Sequence, residues 1–83
     1  MIAERLKKVI LKELELSNFD IRDTTQAFQV PGWDSLNHTL VLLAIEKEYD
    51  VRFSVVEVLR LKNVGDLQVL VHKKTIDKNK DLK

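Results

Sequence analysis

The first sixteen residues place apolar side chains at steps of three and four, which is the repeat of one face of an α-helix. The stripe consists of Ile2, Leu6, Val9, Ile10 and Leu14. Lys7, Lys8, Lys12 and Glu13 lie off this stripe. The pattern predicts an amphipathic helix from about Ile2 to Leu16.

A long, mostly polar connection follows, from residue 17 to residue 34. A connection of this length is unusual in a small domain and is often functional. Apolar residues are spread through it, and we expect them to hold it across the helices as lids on the core. They are Phe19, Ile21, Phe28, Val30 and Trp33.

A second helix is predicted to begin at Asp34 or Ser35 and to end near Tyr49. Asp34 is a good N-cap because its carboxylate can accept a hydrogen bond from a free amide of the first turn. Apolar residues project from two opposite sides of this helix. One side holds Val41, Leu42, Ile45 and Tyr49, and the other holds Leu36, Leu40, Leu43 and Ala44. Either the helix is buried all round, or Leu36 and Leu40 are partly exposed for docking.

Two shorter patterns predict two more helices. Ser54 followed by Glu57 fits a capping box and predicts a short helix over about 55–61. Asn63 followed by Asp66 is a weaker start for a last helix over about 64–74, with Val64, Leu67, Leu70 and Val71 buried. No segment alternates with a period of two, so we predict an all-α fold: a four-helix bundle with a long first loop and a short third helix.

Composition limits the chain to one small domain of 83 residues. The absence of cysteine excludes disulfides and thiolate metal sites. Charged residues interrupt the apolar N-terminus, which predicts neither a signal peptide nor membrane insertion, and the cytoplasm is the expected location. We expect a domain over 1–74 and a basic, flexible tail over 75–83. Without arginine or aromatic residues, the tail does not predict nucleic-acid binding.

Ser35 is the candidate for chemistry, and catalysis is the first possibility. His38, three residues on, could share a helix face with Ser35. However, the glycine-flanked motif of a nucleophile elbow is missing, and a third, orienting group is not evident. We therefore do not expect a hydrolase and interpret His38 as a solvated polar residue. The histidines and carboxylates show no spacing typical of a metal site, so none is predicted.

Modification suits Ser35 better than catalysis. The serine would lie in the first turn of a helix, where free amides and the helix dipole favour a negative charge. A phosphodiester on its oxygen would be well placed electrostatically.

The segment Gly32-Trp33-Asp34-Ser35-Leu36, which opens a helix running into Ala44-Ile45-Glu46-Lys47-Glu48-Tyr49, resembles the acyl carrier proteins. That family carries G-x-D-S-L before a helix with an acidic and aromatic end. The resemblance spans about residues 2–74 and implies that Ser35 carries a covalent 4′-phosphopantetheine arm, which a separate phosphopantetheinyl transferase installs from coenzyme A. Acyl groups would ride as thioesters on this arm, and the protein would not be an enzyme.

The resemblance also implies roles for neighbouring residues. Asp34 would cap the helix and contribute to recognition by the transferase. Leu36, Leu40 and Lys47 would contact partners, which would be an acyl-activating enzyme, an acyltransferase or a synthase. A monomer is expected.

The chain departs from fatty-acid carriers, which have carboxylates along the second helix, because Asn37, His38 and Thr39 follow Leu36. The docking face would be apolar and nearly neutral, which favours a specialised carrier of a secondary pathway over bulk fatty-acid synthesis. An aminoacyl or peptidyl carrier is the nearest alternative. A small helical interaction module without a prosthetic group is the other.

Overall fold

The computed structural model describes residues 2–81, with the side chains of residues 2–77. Within this part of the chain the structure is helical and contains no strand. The helices are α1 (Glu4–Glu13), α2 (Ser35–Tyr49), α3 (Val55–Leu59) and α4 (Val64–Asp81), and a 3₁₀ turn covers Ala27–Gln29. The predicted four-helix fold, with its long first loop and short third helix, is confirmed.

A single cluster of buried side chains joins the helices and the long loop. α1 packs directly on α2. The cluster consists of Leu6, Ile10, Leu14, Ile21, Val30, Trp33, Val41, Leu42, Ile45, Val64, Leu67 and Val71. The predicted stripe of α1 therefore faces the core, although Ile2 and Val9 lie at its edge and are only partly buried.

The helix α1 is shorter at both ends than the prediction of Ile2 to Leu16. Glu15 adopts a left-handed conformation with φ of 57°. The N–H of Leu16 then donates to the carbonyl of Leu11 at 2.9 Å, which satisfies an acceptor of the last turn. The apolar repeat continues past this point, so the repeat alone could not place the end of the helix.

The long loop is held partly as predicted. Ile21, Val30 and Trp33 are buried, and Phe19 is partly buried. The prediction that Phe28 covers the core is wrong, since 81% of its surface is exposed.

Backbone hydrogen bonds also tie this loop to the start of α4. The N–H of Val64 donates to the carbonyl of Thr25, and that of Gly65 donates to the carbonyl of Asp23, both at 2.8 Å. A Cβ atom at Gly65 would lie 2.7 Å from this Asp23 oxygen, so the approach requires glycine.

The capping box of α3 is formed as predicted. The hydroxyl of Ser54 accepts from the N–H of Glu57, and the carboxylate of Glu57 accepts from the N–H of Ser54. The same carboxylate pairs with Lys74 of α4 at 2.8 Å, and these hydrogen bonds, that from Lys74 first, lower the pKa of Glu57 to about 2. Glu57 therefore links the start of α3 to α4. The helix ends at Leu59 rather than near residue 61.

The helix α4 begins as predicted but extends further. Asn63 accepts from the N–H of Asp66 at 2.8 Å, as the capping pattern implies. Neither glycine nor proline occurs after Gly65, and the helix continues to Asp81, so the predicted end near residue 74 was too early. The expected tail thus begins inside a helix, and residues 82 and 83 lie outside the described residues. No helix in residues 2–81 is both long and apolar enough to cross a membrane.

The two apolar sides of α2 have different surroundings, as the docking hypothesis requires. Val41, Leu42 and Ile45 are buried in the core. On the opposite side, Leu36, Leu40 and Leu43 keep 74%, 43% and 54% of their surface exposed. The alternative prediction, that α2 is buried all round, is therefore wrong.

Leu42 and Leu43 allow a matched test of this arrangement, because the same residue type stands on each side of α2. Leu42→Ala should lower the free energy of unfolding by about 2–5 kcal/mol, since it leaves a cavity in the core. Leu43→Ala and Leu36→Ala should each change it by less than about 0.5 kcal/mol. Urea denaturation followed by circular dichroism measures all three. A large loss in Leu36→Ala would show that Leu36 belongs to the core.

Candidate functional site

The start of α2 is built around the predicted cap. Oδ1 of Asp34 accepts from the N–H of Asn37 at 2.9 Å, and the carbonyl of Asp34 accepts from the N–H of His38 at 2.8 Å. Ser35 is the first residue of the helix and is exposed. The described residues form no hydrogen bond with its hydroxyl. The cap therefore holds Ser35 outward at the positive end of a 15-residue helix.

Asn37 has a role that the sequence analysis did not predict. Its Nδ2 donates to the carbonyl of Gly32 at 2.7 Å, and Gly32 has a φ of 81°, which favours glycine. The backbone of Asn37 is bound to Asp34 while its side chain binds Gly32, so the turn before Ser35 is fastened at two points. A carboxylate at position 37 could not donate this bond. In the sequence, Asn37 stands out only because an amide, and not a carboxylate, follows Leu36.

Trp33 and His38 form a second unpredicted contact. Nε1 of Trp33 donates to Nδ1 of His38 at 2.9 Å, and the ring centroids lie 6.0 Å apart. Trp33 is 4% exposed and His38 is half-buried. The interpretation of His38 as a solvated residue is therefore wrong. Trp33 lies in the loop, five residues before His38. This spacing matches no helical or strand repeat, so the sequence could not have revealed the pair.

The geometry does not assemble a catalytic serine. Within residues 2–77 no hydrogen bond joins Ser35 to His38, and Nδ1 of His38 already accepts a hydrogen bond from Trp33. The described residues also contain no group of three side chains that could hold a metal ion.

A cavity of about 530 Å³ opens beside Ser35. Its wall comes from the loop, α2, the link between α3 and α4, and the first turn of α4, and it is mainly apolar. The apolar lining consists of Ala27, Phe28, Trp33, Leu61, Val64 and Leu67. Ligand sites typically have about this size and character, with a volume of about 300–1,000 Å³. An organic group joined to Ser35 would therefore find space and apolar surface next to its point of attachment.

An exposed apolar surface follows Ser35 along α2, and at Leu43 it meets Val55 and Leu59 of α3 across a shared groove. Leu36, Leu40 and Leu43 form its α2 part, and the exposed Lys47 follows one turn later. α3 adds side chains that the sequence analysis did not assign to docking. They are Val55, Val56 and Leu59, which are 75%, 57% and 78% exposed.

The two acids near this surface are engaged within the protein. Oε2 of Glu46 accepts from the N–H of Phe53 at 2.7 Å and so supports the link between α2 and α3. Glu48 pairs with Arg5 of α1 at 2.9 Å, and the same guanidinium lies 4.3 Å from the ring centroid of Tyr49. Arg5 thus offsets the charge of Glu48, whereas Glu46 is held by a hydrogen bond from the backbone and keeps its charge.

The contribution of Asp34 as a cap can be measured with two variants. Asp34→Ala should lower the free energy of unfolding by about 1 kcal/mol, because the N–H of Asn37 loses its acceptor. Asp34→Asn should be nearly neutral, since an amide oxygen caps as well. Urea denaturation compares them. Equal stability of Asp34→Ala and the unaltered protein would contradict the cap.

Comparisons with known proteins agree with this geometry. The model of the protein family described as "Phosphopantetheine attachment site" matches residues 4–68. Acyl carrier proteins of Buchnera aphidicola subsp. Acyrthosiphon pisum are similar along nearly the whole chain. The protein of strain Tuc7 is 29% identical over 77 residues, which are 93% of this chain and 96% of the relative. That of strain 5A is 31% identical over 84 aligned positions, which cover 99% of this chain and 95% of the relative.

A solved structure is also similar, namely the solution NMR structure of holo acyl carrier protein from Geobacter metallireducens. The TM-score is 0.85 at 32% identity, and the match covers 90% of this chain and 86% of that one. The prosthetic group of the matching family is a covalently attached phosphopantetheine. Such proteins carry substrates rather than catalyse, and they work with synthases and transferases. The family match over residues 4–68 and the 31% identity to an acyl carrier protein along the chain lead to one conclusion: the chain belongs to the acyl carrier protein family.

Proposed function

We propose that Ser35 is the attachment point of 4′-phosphopantetheine and that the protein is a specialised acyl carrier. The observation that supports this most directly is the exposed hydroxyl of Ser35 at the capped start of α2, beside a cavity of about 530 Å³. The arm supplies a terminal thiol on which acyl groups are carried as thioesters. The chain itself contains no cysteine, so the arm is its source of a reactive thiol.

The start of α2 suits an attached phosphodiester. The amides of the first turn and the helix dipole favour a negative charge at Ser35. The carboxylate of Asp34 lies next to this charge, but it is bound to the N–H of Asn37. We assign Asp34 a second role in recognition by the phosphopantetheinyl transferase, where its exposed side contributes a negative charge.

The protein is not an enzyme in this proposal. It is a monomer in the cytoplasm that presents a tethered substrate to successive active sites. Tethering raises the effective concentration of the acyl group near each site, as a short flexible linker does. The residues of the chain position the arm and are recognised by the partner, while the partner performs the reaction.

The character of the docking face supports a specialised pathway. Leu36, Leu40 and Lys47 form the predicted contact line on α2, and it offers apolar surface with a single cation. Weak electrostatic steering follows, so partner affinity should depend little on salt. An acyl-activating enzyme, acyltransferase or synthase with an apolar contact surface is the fitting partner.

An aminoacyl or peptidyl carrier would share the same face, and only the loaded cargo separates it from an acyl carrier. The helical module without a prosthetic group is not favoured by any feature of the site.

Attachment can be tested by intact mass spectrometry after incubation with coenzyme A and a broad-specificity phosphopantetheinyl transferase. The protein should gain the mass of one phosphopantetheinyl group, because one exposed hydroxyl lies at the family motif. Ser35→Ala should gain none. Ser17→Ala is the matched control, since Ser17 is also exposed, and it should be modified fully. Modification of Ser35→Ala would place the arm elsewhere.

The docking line can be tested on the modified protein with a partner that loads it. Leu36→Ala and Lys47→Glu should each reduce kcat/KM for loading, by about tenfold for a lost contact of about 1.4 kcal/mol, while helicity is unchanged. Lys8→Glu, at an exposed position of α1 outside the docking line, controls for the change in net charge.

Loading at unaltered rates in both docking variants would contradict the assignment of this face. A steep loss of loading between low and high salt would contradict its neutral character, because only charged contacts are screened.

A further inference from the structure

The hydrogen bond between Trp33 and His38 determines where the imidazole carries its proton. The indole N–H can only donate, so Nδ1 of His38 must be an unprotonated acceptor. A neutral imidazole then has its hydrogen on Nε2. His38 is therefore held as the tautomer with an N–H donor on the side of the ring away from Trp33.

This donor is not used by the part of the chain that the structure describes. No hydrogen bond to Nε2 of His38 is formed by residues 2–77, although the residue is half-buried. No buried side-chain nitrogen or oxygen of the described residues lacks a partner, so Nε2 of His38 is reached by solvent and can donate to a ligand in place of water.

His38 also lies where such a ligand would be. It lines the same cavity as Ser35, and the two residues stand three positions apart on α2, which places them as neighbours on the helix surface. The cavity is otherwise mainly apolar. Its other polar side chains include Asp34 and Asn63, which are bound to backbone N–H groups of their own helices.

We propose that Nε2–H of His38 donates a hydrogen bond to an amide carbonyl of the prosthetic arm and so holds the arm in the cavity beside Ser35. This inference rests on the proposed attachment at Ser35. Phosphopantetheine contains amide groups linked by short apolar segments. Its carbonyl oxygens can accept from Nε2–H of His38, while the apolar segments can contact the apolar wall of the cavity. Trp33 acts through His38, because it fixes the tautomer and the position of the ring. His38 is then a binding residue and Trp33 a positioning residue.

The test compares the unmodified protein with the protein modified by coenzyme A and a phosphopantetheinyl transferase. Histidine labelled with ¹⁵N gives ring signals from His38 and His72 only. On modification, the Nε2–H signal of His38 should shift and nuclear Overhauser contacts should appear between its ring and the arm. The signals of the exposed His72 should stay unchanged.

Two substitutions separate this contact from a general structural effect. When the His38→Phe variant carries the arm, the nuclear Overhauser contacts from position 38 and from the neighbouring cavity wall to the arm should be lost. His38→Gln should retain them, because its amide offers both an acceptor for Trp33 and a donor. His72→Phe is the matched control and should also retain them.

The outcomes distinguish this proposal from the one on which it rests. No gain of mass would overturn attachment at Ser35 and the contact with it. A gain of mass with unchanged His38 signals and no contacts would overturn the contact alone, as would contacts that persist in His38→Phe.

Discussion

Three side chains of α2, Val41, Leu42 and Ile45, are buried in the core, and this packing fixes the rotation of the helix about its own axis. Each residue of a helix is turned by about 100° from the last, so the outward direction of every other side chain follows. The exposed line from Leu36 to Lys47 exists because these three side chains face the other way. Displacement of the core stripe by one residue would turn that line toward the neighbouring helices.

The rotation of α2 does not by itself determine the position of the segment before Ser35. Three polar contacts hold that segment in place. Asn37 binds the carbonyl of Gly32, Asp34 binds the amide of Asn37, and Trp33 binds His38. Each contact joins the loop to the first turn or so of α2. The loop is also bound at Thr25 and Asp23 to the start of α4. The end of α2 that carries Ser35 is thus supported by the loop, and the loop is supported by α4, the last helix of the chain.

The sequence predicted those features that depend on periodicity and on short-range capping. The stripe of α1, the two sides of α2 and the caps at Asp34, Ser54 and Asn63 all fall in this group, because each involves residues within one or two turns. The end of α1 depends on a left-handed Glu15, a residue type that seldom marks a helix end. The Trp33–His38 pair and the exposure of Phe28 depend on how the loop settles on the bundle, which no local pattern encodes. α4 runs past its buried residues because the chain contains no residue that stops it.

Trp33 is the only tryptophan of the chain, and it is held in the loop beside Ser35 rather than in a helix. The intrinsic fluorescence of the protein is therefore dominated by one indole, whose N–H is bound to the imidazole of His38, three residues after Ser35. Emission reports the state of this loop, whereas far-ultraviolet ellipticity reports the helices. The protein thus has an intrinsic optical label beside Ser35, the proposed attachment point, and this label can follow release of the loop separately from melting of the bundle.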